Sequence, residues 1–284
     1  MAGSERNMNE ECNGDCASCA EECEDRKEPV NLKAEPNPTS RVKRMIAIVS
    51  GKGGVGKSYV TSLLAVAAKR SGRKVGILDA DVTGPSIPRM FGIRERATDN
   101  EFGLVPVPTK TGIATMSVNL LLERETDPVV WRGPLIAKMV TQFWTDVAWG
   151  DLDLLFVDMP PGTGDVALTV FQSLPVDGIV VVTSPQELVS MIVAKAVKMA
   201  DLLHVPVLAV VENMSYFKCP ECGAEHAVFG RSAVEKVARE YGVRHAVRLP
   251  IEPTVARLCD AGRIEFADIS VIKPLVDVID PKEE

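Results

Sequence analysis

Gly51-Lys52-Gly53-Gly54-Val55-Gly56-Lys57-Ser58 constrains this chain more than any other stretch. It fits G-x-x-x-x-G-K-[ST], a loop whose backbone N–H groups cradle a polyphosphate. In that pattern Lys57 reaches the β- and γ-phosphates and the Ser58 hydroxyl holds Mg²⁺. The flanks give the pattern its context. Met45 to Ser50 is an apolar run of buried-strand length, and Val60 to Lys69 is helical in character, with no Gly or Pro. Strand, glycine loop and helix aim a helix N-terminus at an anion. A glycine-rich turn without a ligand is the bland alternative, and both flanking elements argue against it.

The same alternation continues along the chain. Lys74–Ala80, Leu152–Val157, Ile179–Thr183 and Val205–Val211 read as strands, the last ending before Asn213. Leu135–Trp149, Asp165–Leu174, Glu187–Leu203 and Ser232–Tyr241 read as helices. His245–Leu249 is a short strand, and two helical segments follow Pro253 and Asp268. Asp81–Gly92 is broken by Gly84, Pro85 and Pro88, and Leu104–Val107 with Ile113–Val118 suggests an added hairpin or edge strands. Continuous Val, Ile and Leu runs mark a parallel sheet buried on both faces. The expected fold is therefore α/β, a doubly wound, mostly parallel sheet with helices on both faces. Its site should lie at the carboxyl ends of the strands.

Charge divides the chain in two. The net charge is −7, and residues 1–40 hold ten acidic and four basic side chains, leaving the remainder near neutral. Residues 1–40 read as an acidic, Cys-rich, flexible extension, and 41–284 as the P-loop domain. The near-neutral body gives no case for nucleic acid as the main partner, and the acidic extension argues against anionic membranes. No apolar run approaches the ~18–20 residues of a membrane span, and the first forty residues carry no secretory h-region. A cytoplasmic protein is expected.

Acids punctuate the strand ends. Asp79 and Asp81 are two apart, which points both to one face of an extended segment, towards the phosphate crevice. One can bind Mg²⁺ through water and the other can orient an attacking water; a turn acid pair is the alternative. Asp158 follows Leu154-Leu155-Phe156-Val157, the pattern of an acid that shares Mg²⁺ with the P-loop hydroxyl. Pro160 to Asp165 would then be a loop near the γ-phosphate, able to change on hydrolysis.

Of seven cysteines, two form Cys219-Pro220-Glu221-Cys222 and four lie in the extension, at Cys12, Cys16, Cys19 and Cys23. Cys259 sits alone in a helical stretch and reads as a small packed residue. In a cytosolic chain such clusters signal metal or redox chemistry rather than structural disulfides. One C-x-x-C supplies two thiolates, whereas zinc and [4Fe–4S] clusters usually need four ligands. Two copies meeting at a two-fold axis would supply them. A zinc site begun by Cys219, Cys222 and His226 within one chain, or a redox dithiol, are the other readings; spacing alone favours zinc. The extension pattern, C-x₃-C-x₂-C-x₃-C, holds enough thiolates for one metal cluster by itself, and differs from the ferredoxin run.

The doubled-lysine loop resembles that of the MinD/ParA/nitrogenase-iron-protein class of dimeric ATPases. More narrowly, several stretches resemble the Mrp/ApbC iron–sulfur carrier ATPases. These are Asp79 to Ser86, Trp131-Arg132-Gly133-Pro134, Asp158 to Asp165, and Glu212-Asn213-Met214-Ser215 followed by Cys219 and Cys222. The resemblance implies ATP bound by Gly51 to Ser58, by Tyr59, and by Asn213 at the adenine ring. It implies Mg²⁺ at Ser58, Asp79 and Asp158. Lys52 would reach across a homodimer to the partner's nucleotide, and Asp81 would activate water; with Lys57 these make the catalytic set. It further implies a labile [4Fe–4S] cluster bridging two C-x-x-C pairs, a second cluster on the extension cysteines, and apo iron–sulfur proteins as recipients. Slow, transfer-coupled ATP hydrolysis is expected. The runners-up are a MinD/ParA-like positioning ATPase and an ATP-dependent reductase like the nitrogenase iron protein. Asp280-Pro281-Lys282-Glu283-Glu284 is no basic amphipathic membrane-binding end, which counts against the former.

Overall fold

Period-two alternation splits the central strands between two cores. In β1 (Arg41–Ser50), Met45, Ala47 and Val49 enter one apolar cluster while Ile46 and Ile48 enter the other. The computed structural model that shows this describes residues 33–82, 84, 86–122, 133–162, 164–185 and 189–281. Cys12, Cys16, Cys19 and Cys23 lie outside the described residues, as do Trp131 and Arg132.

The other strands of the sheet core are β2 (Val75–Asp79), β6 (Ala114–Ser117), β7 (Asp151–Asp158), β8 (Gly178–Thr183), β9 (Val207–Lys218) and β11 (Ala246–Pro250). All seven are parallel, in the order β11-β9-β8-β1-β7-β2-β6. Two short strands, β5 (Val107–Pro108) and β10 (Glu225–His226), pair antiparallel on β6 and β9. Helix α1 (Lys57–Arg70) packs on the face that holds Ile46 and Ile48, with α2 (Ile87–Phe91), α7 (Pro253–Asp260) and α8 (Pro274–Ile279). The opposite face carries α3 (Gly133–Thr145), α4 (Asp165–Ser173), α5 (Val189–Leu202) and α6 (Val234–Glu240). Helix α1 is buried from Val60 to Ala68, and its small Ala65, Ala67 and Ala68 allow close approach between sheet and outer helices.

The doubly wound sheet matches the expectation, and four local readings change. Ile113–Val118 does join an edge hairpin, but only Val107–Pro108 (β5) supplies its antiparallel arm, and β6 also pairs parallel with β2 in the main sheet. Residues Gly103–Val105 (β4) pair instead with Thr98–Asn100 (β3). Helix α3 stops at Thr145 because the backbone beyond it is taken elsewhere: Leu104 N–H donates to Asp146 O at 2.9 Å and Ala148 N–H to Leu104 O at 2.8 Å. Strand β9 does not end before Asn213 but continues to Lys218. Met214 adopts a left-handed φ of 56° within it, beside a register shift against β11 between Arg248 and Pro250. That irregularity interrupts the periodicity without ending the strand. Residues 33–40, read as part of the extension, lie on the body: Trp144 Nε1–H donates to Ala34 O at 2.9 Å and Asn37 Nδ2–H to Phe102 O at 2.7 Å.

The turns after α2 and α7 touch through glycines. Gly92 and Gly262 both have φ near 66°, and a Cβ on Gly262 would lie 2.5 Å from Gly92 Cα. Gly242 has a similar φ of 72° but open space around it. Gly242→Ala is expected to cost the left-handed strain alone, about 1–2 kcal/mol. Gly262→Ala should lower the urea midpoint distinctly further, because backbone must move; equal midpoints would show that the close approach carries no energy.

Candidate functional site

Strand β1 ends in the middle of the sheet, between β7 and β8, so the loop after Ser50 emerges at the carboxyl edge where strand order reverses. Gly56 caps α1 with a φ of 83°, and a Cβ there would meet Asn213 Nδ2 at 2.2 Å. No other residue type meets both demands. A cavity of about 330 Å³ opens over the loop, lined by Lys52, Gly53, Gly54, Gly56, Lys57, Ser58, Tyr59 and Asp81, with Met90 and Pro161 on its walls.

Lys57 is 5 % exposed, with its Nζ 2.8 Å from Asp158 Oδ1 and 3.7 Å from Asp81 Oδ2. Neither approach has hydrogen-bond geometry, so this buried ammonium has donor capacity left for a further acceptor. A phosphate oxygen in the cavity would supply one. Ser58 Oγ–H donates to Asp158 Oδ2 at 2.5 Å, and Thr61 Oγ1–H donates to Asp158 Oδ1 at 2.7 Å. The sequence reading missed Thr61; the signal was its place one helical turn after Ser58, on the same face. A hydroxyl and a carboxylate already in contact are the oxygen donors that Mg²⁺ takes in P-loop proteins, so Ser58 and Asp158 fit that ion. When bound, it would neutralise charge on the β- and γ-phosphates.

Asp79 does not reach the crevice as expected. It is fully buried and paired in register with Asp158 across β2 and β7. Its oxygens accept from Ser117 Oγ–H at 3.1 Å and from Asp81 N–H at 3.2 Å. Alternation gave its face correctly but not its depth, since β2 is buried throughout. Burial first, then the Asp158 and Asp81 carboxylates, push its carboxyl well above the usual range, against the pull of Lys57 and the Ser117 hydroxyl. Asp79 therefore backs Asp158 rather than lining the cavity. Asn213 is also buried, and its Nδ2–H donates to Val55 O at 3.0 Å, bracing the P-loop backbone.

Six residues beyond Asn213 lies the C-x-x-C. Gly223 N–H donates to Cys219 O and Cys219 N–H to Ala224 O, both at 2.9 Å, folding the four residues into a tight turn between β9 and β10. Backbone N–H groups of Cys222 and Glu221, with the Cys222 thiol, point at Cys219 sulfur and lower its pKa. Such a cradle favours the thiolate that metals bind. His226 does not complete a chelate: among the described residues no three of His, Cys, Asp and Glu gather as a metal site. Cys259 is half-buried against the α1-side core, as expected of a packed residue.

Sheet order, loop and lysine–carboxylate geometry define a P-loop NTPase. The family model described as NUBPL iron-transfer P-loop NTPase matches residues 41–278. The chain is 42 % identical over 292 residues to an iron–sulfur cluster carrier protein of Methanocaldococcus jannaschii, covering 96 % of this chain and 99 % of the relative. It is 43 % identical over 268 residues to one from Clostridium perfringens, covering 89 % and 94 %. A nucleotide-binding protein of Archaeoglobus fulgidus, solved with ADP, superposes with a TM-score of 0.74 at 45 % identity, covering 80 % of this chain and 89 % of that one. Septum site-determining MinD of Pyrococcus horikoshii, at 19 % identity and a TM-score of 0.54, covers 85 % of this chain and 97 % of its own, and shares the fold. The chain belongs to the NUBPL iron-transfer P-loop NTPase family. No helix among the described residues is long and apolar enough to cross a membrane.

Two outcomes are expected. An unfolded Asp79 releases its proton near pH 4, whereas the folded one retains it well above that, so its contribution to stability falls as pH rises from about 4 towards the folded pKa. Asp79→Asn has no proton to release. Its nucleotide-free unfolding curve should gain on wild type as pH rises above about 4, and a deficit that widens with pH would contradict a raised carboxyl pKa at Asp79. Second, iodoacetamide at mildly alkaline pH should label Cys219 before Cys259, whose pKa is raised by burial and by Asp260. Peptide mass spectrometry reads the order; equal labelling would remove the thiolate cradle.

Proposed function

We propose that this protein is an ATP-hydrolysing iron–sulfur carrier. Two copies hold one [4Fe–4S] cluster through Cys219 and Cys222 and deliver it to apoproteins, with nucleotide state setting how tightly it is held. The observation that carries this reading is strand β9. At Asn213 it grips the P-loop carbonyl of Val55, and at its far end it becomes the thiolate turn. A change in the loop on binding or losing phosphate has a short covalent path to the sulfurs.

A partly buried network supports the path. Ser215 Oγ–H donates to Glu212 Oε1 at 2.6 Å and Ser215 Oγ accepts from Arg248 Nε–H at 2.9 Å. The Arg248 guanidinium stacks on Tyr216, 5.1 Å from the ring centroid. Asn213 and Ser215 thus tie β9 down on both sides of the left-handed Met214. Within the nucleotide site, Lys57 binds the phosphates, Ser58 and Asp158 hold Mg²⁺, and Asp81, on the cavity wall, orients the attacking water. Lys52 serves the nucleotide of the second copy. ATP binding closes the two copies and hydrolysis, slow as in a switch, reopens them. The coupling requires different cluster affinity in the two states.

Anaerobic reconstitution of the full chain with iron and sulfide tests this. Wild type and Cys219→Ala/Cys222→Ala are compared for iron, sulfide, zinc and oligomeric state, without nucleotide, with ADP and with ATP. The double variant is expected to lose about one cluster per dimer, and wild type to release its cluster at nucleotide-dependent rates. Unchanged iron in the double variant, or zinc alone in wild type, would remove the carrier site. Equal release rates in all three states would remove the coupling.

A further inference from the structure

The thiolate turn sits on a projection with almost no cover. From Lys218 to Arg231 every residue is exposed except Cys219, which is half-buried. The antiparallel pairing that holds it is two residues long, Glu225 with Lys218 and His226 with Phe217. A hairpin that short is marginal without something packed on it.

Val228 and Phe229 occupy the two corners of the next turn, closed by Gly230 N–H donating to Ala227 O at 3.1 Å. Turn corners ordinarily go to Gly, Pro, Asn, Asp or Ser. Here they hold a branched aliphatic and an aromatic side chain that are 56 % and 54 % exposed. Two large apolar groups at one exposed turn, on the projection that bears the thiols, mark a contact surface.

The ligand count says what covers it. Cys219 and Cys222 offer two thiolates, and no third ligand gathers with them among the described residues. A four-ligand site is therefore incomplete until a second copy brings its own pair. We propose that Val228 and Phe229 form the apolar rim on which that second copy docks, screening the shared cluster from water. This rests on the carrier reading and adds to it the residues that hold the two hairpins together. An apolar surround limits solvent access to a metal site and so slows ligand exchange and metal loss.

The test uses full-length protein, reconstituted anaerobically, as wild type, Phe229→Ser, Val228→Ser/Phe229→Ser and the conservative Phe229→Leu. Sedimentation velocity gives the dimer fraction with and without cluster, and a ferrous chelator gives the rate of iron loss. Because both side chains are exposed, thermal unfolding of the cluster-free variants should match wild type, which separates docking from folding. The serine variants are expected to lose iron about tenfold faster and to dimerise more weakly, with Phe229→Leu restoring both. Wild-type behaviour in the serine variants would overturn the rim. So would an intact cluster-bound dimer whose transfer to an apoprotein is slowed, since the surface would then belong to the recipient. Failure of wild type to take up a bridging cluster overturns the carrier reading and the rim with it, and that result is distinct because it appears before any variant is compared.

Discussion

A lysine buried against carboxylates at the carboxyl edge of the sheet is the constraint around which the structure is arranged. Lys57 lies within ion-pair range of Asp158 and Asp81, and Asp79 stands beside Asp158 on the neighbouring strand. Taking such charges out of water costs several kcal/mol each, and a well-packed apolar group is often as stable there. The cluster is therefore poorly explained by stability. It is well explained by a need to hold a positive group where phosphate arrives. The fold offsets the cost with hydrogen bonds: Ser58 and Thr61 donate to Asp158, Ser117 and the Asp81 N–H donate to Asp79, and burial pushes the Asp79 carboxyl well above the usual range, towards its neutral form.

The second constraint is mechanical. Gly56 must be glycine for its left-handed φ and for the nearness of Asn213, and Asn213 in turn is held by the same loop. Loop and strand β9 are thus mutually fitted. Past Asn213 the chain turns left-handed at Met214, a conformation disfavoured for a side chain of that size. Such strain persists where neighbours over-determine it, and Asn213 on one side with Ser215 and Arg248 on the other do so here.

Much of this was legible in the sequence where the signal is local. The glycine loop, Lys57, Ser58 and Asp158 followed from spacing, because the loop chemistry fixes residue type position by position. The parallel sheet followed from uninterrupted Val, Ile and Leu runs. Depth was not legible: alternation says which face Asp79 takes but not that β2 is covered on both sides. Nor was the length of β9, because Glu212-Asn213 reads as the end of an apolar run. Continuation of the strand depends on pairing with β11, a strand more than thirty residues downstream in sequence. Helix α3 ran short for the same kind of reason, its expected last turn being claimed by Leu104.

On the proposed carrier reading, the position of the thiols also follows from these constraints. A cluster site built inside the sheet would compete with the polar pocket for the carboxyl edge and would be closed to any recipient. Placed on a hairpin beyond the sheet, two thiolates remain accessible, yet two alone bind a cluster incompletely. The deficiency then becomes a control. Whatever brings a second pair within reach completes the site, and whatever separates the pairs opens it. A nucleotide that favours one arrangement of two copies acts on the cluster without touching it, through differential affinity alone. On the proposed carrier reading, the incomplete ligand set of each C-x-x-C is what would allow a phosphate-binding loop to govern the fate of a bridging iron–sulfur cluster.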